Sequence, residues 1–337
     1  MSTSENSFTQ KSNLSPAKKL LLEKWKSSKF AATSEAQPST QETIEQLASV
    51  LRQQFVSPNF SPLVPIQPRG SKRPFFCVHP IGGNVLNYIP LASYLSPEQP
   101  FYGLQARGID GQQTPLTQVE EIADSYIEAM RTIQSEGPYL LGGWSMGGIV
   151  ALEMAIQLHR KEQQIAQLIV IDSALPNYID KRYQSQFDDV LMLKYFALFL
   201  GGSVGKNLIV SDDTIKQKTG DEQIRYIWEQ AKLSGIIPPD VELMQIRTLI
   251  EVFKANVQAV LKYVPQGTVN RLALFLANDM LDELLDIHNP KLGWDELTVE
   301  PVEIYSMPGN HYTMLAKPQV QVLAEQLSRC IDEAQLS

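Results

Sequence analysis

Residues 138–159 read PYLLGGWSMGGIVALEMAIQLH. A short apolar strand, a glycine turn and a helix follow one another here, and Gly143-Trp144-Ser145-Met146-Gly147 sits where strand gives way to helix. That is the G-x-S-x-G pattern in the context a nucleophile elbow needs. Small residues flank the serine because the strained turn brings strand and helix backbones together, lifting Oγ clear of the sheet. Two other readings compete. One is a glycine-rich turn whose serine caps the helix; the other is a phosphate-binding loop, disfavoured because no G-K-[ST] follows.

Outward from the turn, the pattern alternates. FFCVHP is a short apolar strand ending at a Pro-Ile-Gly-Gly turn, and QPFYGLQA reads as another strand. VEEIADSYIEAMRTI places Val119, Ile122, Ala123, Tyr126, Ile127, Met130 and Ile133 on one helical face. LIVIDS is a continuous β-rich run of the kind buried on both faces of a parallel sheet. The alternation predicts an α/β domain with a mostly parallel central sheet and helices on both faces.

The next strand-like run, RLALFLA, begins only at Arg271, much further on than one crossover helix requires. VLMLKYFALFL, DEQIRYIWEQAK and VELMQIRTLIEVFKANVQAVL fill the gap with helical spacing, predicting an inserted helical lid over about residues 177–268. PVEIYSM is a final strand. It leads into the loop PGNHYTML and a closing helix, QVQVLAEQLSRCIDEA, so the domain is expected over residues 75–335.

Residues 1–74 differ in kind. They are rich in Ser, Gln, Lys and Pro, with two short helical patterns, SPAKKLLLEKWK and TIEQLASVLRQQF. SPNFSPLVPIQPRGSKRP carries five prolines and reads as an extended connector, so residues 1–74 are expected to form a flexible tail and linker.

Composition narrows the function classes. The chain of 337 residues, 43% hydrophobic and 20% charged, suits one large globular domain, and a net charge of −8 disfavours nucleic acid and anionic membrane as partners. Cys77 and Cys330 have neither disulfide-framework nor metal-site spacing. No apolar run approaches a bilayer span, and the polar start MSTSENSFTQKSN lacks a signal-peptide core, so a cytoplasmic protein is expected.

An elbow serine needs a base. His311, in the loop after the last strand, stands where this arrangement carries it. His159 lies in the helix after the elbow, His288 in a polar loop, and His79 precedes the serine in a turn beneath the site. The base in turn needs an acid to hold its tautomer. Asp172 closes LIVIDS and Asp279 follows RLALFLAN; spacing leaves the two equal. The oxyanion hole is expected from two backbone N–H groups, those of Met146 and of Ile81 in HPIGGN, where Gly82 and Gly83 allow close approach.

Taken together, FFCVHPIGGN, FYGLQARGIDG, GPYLLGGWSMGGIVALEMA, LIVIDS and LGWDELTVEPVEIYSMPGNHYTML resemble the releasing thioesterase domains of nonribosomal peptide and polyketide synthases over roughly residues 60–330. The resemblance implies an α/β-hydrolase fold with a helical lid. It favours Asp172 over Asp279, and it implies attack by Ser145 on an acyl or peptidyl thioester held on the 4′-phosphopantetheine of a carrier protein. Release would be by water or by an internal amine or hydroxyl that closes a ring. No cofactor or metal of the chain's own is implied. TIEQLASVLRQQF looks like the last helix of a carrier, yet no attachment serine precedes it, so the substrate is expected from a separate polypeptide; SPAKKLLLEKW is similar to short docking helices at synthase module edges. An editing thioesterase and a general carboxylesterase share the chemistry. A catalytically silent docking scaffold is the reading from another class.

Overall fold

The computed structural model describes residues 60–178, 188–279, 289 and 291–336. The two helical patterns of the first 59 residues, and His288, lie outside that range. Among the described residues seven strands form one sheet: β1 (Leu63–Gln67), β2 (Phe75–Val78), β3 (Phe101–Leu104), β4 (Tyr139–Trp144), β5 (Ile165–Ile171), β6 (Leu272–Asp279) and β7 (Glu303–Asn310). Their order is β1-β3-β2-β4-β5-β6-β7, with β1 antiparallel to β3 and every other pair parallel.

The central strands are apolar without alternation because both of their faces are covered. Every residue of β4 is buried. Tyr139 and Leu141 join one core with the helices α2 (Val119–Arg131) and α3 (Met146–Arg160). Leu140 and Trp144 point the other way, into a second core with α1 (Tyr88–Ser93) and α8 (Gln319–Leu336). A third core belongs to the helices between β5 and β6: α4 (Asp189–Gly202), α5 (Asp212–Lys216), α6 (Asp221–Leu233) and α7 (Leu243–Lys262). None of the described helices is long and apolar enough to cross a membrane. Cys77 and Cys330 are free and buried, and burial pushes both thiols up to about 12.

Two stretches differ from their sequence reading. The proline-rich connector supplies β1, whose proline is tolerated because β1 lies at the sheet edge, pairs with β3 alone and slips register between Pro65 and Gln67. At the opposite edge, β7 runs on through Asn310, taking in part of what reads as a loop. Its pairing with β6 slips between Ala277 and Asp279, the bulge that accommodates Pro308.

Candidate active site

Parallel register brings the chemistry-bearing residues to one end of the sheet. Trp144 pairs with Ile171, so the residues that follow them, Ser145 and Asp172, leave β4 and β5 side by side, and Ser145 N–H donates to Ile171 O at 2.9 Å. Both residues then turn sharply. Ser145 has φ 58° and Asp172 φ 44°, left-handed conformations that cost non-glycine residues about 1–3 kcal/mol each and persist where the surroundings hold them.

The glycines of the turn are demanded by its packing. A Cβ on Gly143 would overlap the Gly147 backbone, and one on Gly147 would overlap the carbonyls of Val78 and His79. These are backbone obstacles, which cannot swing aside as a side chain can. Gly147→Ala is therefore expected to destabilise the fold by about 1–3 kcal/mol through overpacking, read as a lower denaturation midpoint at unchanged m-value.

Ser145 is partly exposed, and its Oγ makes no hydrogen bond among the described residues, His311 included. Contacts between a nucleophile and its base are often loose before substrate binds. His311 follows β7 directly, and its Nδ1 donates to Asp172 Oδ2 at 2.7 Å, the two side chains being 21% and 13% exposed. Asp172 Oδ1 takes a second hydrogen bond, from Ala277 N–H at 2.9 Å. Burial pushes the Asp172 carboxyl up, but the His311 hydrogen bond and charge together with the Ala277 N–H outweigh it, and the net direction is down. Asp279, at the exposed end of β6, pairs in register with Asn310. Of the two candidate acids, the one bonded to His311 is Asp172. Trp144, fully buried, lies with its ring 4.9 Å from that of His311 and backs the imidazole.

The two amides read as an oxyanion hole have no acceptor among the described residues. Met146 is the first residue of α3, where helix geometry leaves N–H groups unsatisfied. Ile81 sits in a turn closed by a hydrogen bond from Gly83 N–H to Pro80 O at 2.9 Å. The insertion presses on that turn: a Cβ on Gly82 would meet the Phe199 ring, one on Gly83 (φ 84°) would meet Val252, and buried Asn256 donates Nδ2 to Ile81 O at 2.8 Å.

The other histidines part ways. His159 is exposed in the last turn of α3. His79 is fully buried, hydrogen-bonded through both ring nitrogens to Pro80 O and the Tyr126 hydroxyl. Sequence reasoning missed Asn256, although a lone amide on the apolar face of α7 is a readable sign of a buried partner. It also missed Tyr88, whose hydroxyl donates to Val78 O and accepts from Trp144 N–H, clamping the ends of β2 and β4.

With this geometry in place, the thioesterase domain family model matches residues 73–331. The chain belongs to the thioesterase domain family. Atromentin synthetase invA1 of Paxillus involutus is 28% identical to this thioesterase over 258 residues, which cover 76% of this chain and 26% of the relative. The chain thus spans about a quarter of the length of the curated relatives it matches. Among solved structures, holo-AB3403, a four-domain nonribosomal peptide synthetase bound to AMP and glycine, superposes with a TM-score of 0.75 at 27% identity, covering 84% of this thioesterase and 21% of that chain. The wild-type Vlm2 thioesterase domain superposes with a TM-score of 0.58 at 22% identity over 79% of this chain and 96% of its own, which shows the shared α/β-hydrolase fold.

Proposed function

We propose that this thioesterase releases an acyl or peptidyl chain from the 4′-phosphopantetheine arm of a carrier protein through an acyl-enzyme on Ser145. The observation that carries the reading is the His311–Asp172 hydrogen bond of 2.7 Å, set at the same sheet end as the strained Ser145 turn. Ser145 Oγ attacks the thioester carbonyl while His311 Nε2 takes its proton. Asp172, ionised and bonded to Nδ1, holds the tautomer that leaves Nε2 free to accept, and it stabilises the imidazolium. Charge developing on the carbonyl oxygen is met by the N–H groups of Ile81 and Met146. The C–S bond breaks, His311 returns its proton to the pantetheine sulfur, and the thiol leaves. Water, or an amine or hydroxyl of the acyl or peptidyl chain, then gives its proton to His311 and attacks the ester carbonyl; the C–Oγ bond breaks, His311 returns the proton to Ser145 Oγ, and an acid, lactam or lactone leaves.

The residues of α4 to α7 lie over the loops of this site and act as the lid that shapes the acyl pocket, within the insertion expected over about residues 177–268. The similarity to synthase-type relatives supports a carrier-bound substrate. The reading is tested with a panel of acyl-pantetheine thioesters and matching oxygen esters, products being identified by mass spectrometry. Faster turnover of the thioesters is expected; preference for free oxygen esters would make the chain a carboxylesterase. Products lighter by one water than the linear acid would mark cyclisation.

A further inference from the structure

His79 stands outside the catalytic set just described, yet its hydrogen bonds fall on one particular peptide unit. Nδ1 lies 2.6 Å from Pro80 O and Nε2 lies 2.7 Å from the Tyr126 hydroxyl, with all three groups in the protein interior. A carbonyl can only accept, so Nδ1 carries the proton, and Nε2 accepts from Tyr126. The neutral ring this requires agrees with its surroundings, since burial lowers the His79 pKa to about 4. Pro80 O is the carbonyl of the peptide whose N–H belongs to Ile81. That peptide is trans, so its C=O and N–H lie antiparallel in one rigid plane. Gly83 N–H is the second donor to Pro80 O, and Asn256 holds the following carbonyl, that of Ile81.

We propose that His79, with Tyr126 behind it, is a positioning residue of the oxyanion hole: by donating Nδ1–H to Pro80 O it sets the plane of the Pro80–Ile81 peptide and thereby aims the Ile81 N–H. The hydrogen bond also polarises the amide, making its N–H a better donor as negative charge grows on the substrate oxygen. Tyr126 has a separate task. By donating its hydroxyl proton to Nε2 it supports the tautomer that Pro80 O selects, against the one in which a bare Nδ1 lone pair would face that carbonyl. A histidine that merely filled the core would affect stability without distinguishing ground state from transition state; one that aims an oxyanion donor acts on the transition state.

The proposal rests on the reading of Ser145 and Ile81 given above, so its test separates the two. Wild type, His79→Leu, His79→Asn and Tyr126→Phe are compared for kcat and KM on an acyl-pantetheine thioester. The same four proteins are compared for inhibition by the corresponding trifluoromethyl ketone, which forms a tetrahedral adduct with a nucleophilic serine, and for melting temperature. Losing a whole oxyanion donor costs roughly 10²–10³-fold, so misaiming one is expected to lower kcat in His79→Leu by about 10–100-fold, with KM changed less than about 3-fold and the ketone's Ki raised in step with the loss of kcat/KM. His79→Asn, whose amide can donate from near the Nδ1 position, is expected to recover most of the loss, and Tyr126→Phe to fall between the two. If His79→Leu does not fold, the other two variants carry the same comparison. Folded variants within about 2-fold of wild type in kcat and Ki, or changed in KM alone, overturn the role of His79 while leaving Ser145 in place. A wild-type enzyme that the ketone does not inhibit overturns the Ser145 reading and this proposal together.

Discussion

Ser145→Ala is expected to lower kcat on a pantetheine thioester by at least about 10³-fold, since removing the nucleophile of a serine hydrolase leaves only the oxyanion hole and binding to act. KM should stay near its wild-type value, because the hydroxyl contributes to the bond-making step rather than to holding the acyl chain. Covalent labelling by a fluorophosphonate probe should disappear with the same substitution. The protein should remain folded: Ser145 Oγ makes no hydrogen bond among the described residues, so its loss leaves no partner unsatisfied. A folded wild-type protein that is neither labelled nor active would mark the site as a scaffold without chemistry.

Asp172→Asn should lower kcat by about 10²–10⁴-fold, because an amide facing His311 Nδ1 permits the wrong tautomer and no longer stabilises the imidazolium. Asp279→Asn, at the exposed end of β6, should stay within about 2-fold of wild type. Equal losses in the two variants would remove the assignment of Asp172. The stability of Asp172→Asn has a signed pH dependence. The Asp172 carboxyl is held below its ordinary value in the folded state, so its contribution to stability is present above the ordinary carboxylate range and is lost as pH falls through the folded-state value. The difference in unfolding free energy between wild type and variant should therefore narrow on acidification.

The strand, turn and helix around Ser145 were legible because three levels agree: an apolar run, glycines where backbones must touch, and a helical pattern directly after them. His311 was legible for its place after the last strand. The choice between Asp172 and Asp279 was not open to spacing, since both close parallel strands. What separates them is register: Ile171 pairs with Phe275, which sets Asp172 beside Ala277 and within reach of His311, while Asp279 lies further out along β6. The edge strand β1 was hidden by its prolines, whose meaning depends on whether a neighbour is needed on both sides. Helices α1 and α5 span 6 and 5 residues, too short for periodicity to declare.

The contacts of the insertion with the loops beneath it carry a consequence for redesign. Phe199 fills the space above Gly82, Val252 lies against Gly83, and Gly202 leaves room for the ring of Tyr312, the residue after His311. Attempts to broaden the range of accepted chains by trimming these large side chains would remove the buttress of the turn that holds Ile81. Under the roles proposed for the insertion and for Ile81, selectivity and rate would draw on the same few atoms, so a roomier variant should be sought first at insertion residues that touch neither loop, with the ring of Phe199 left as it stands.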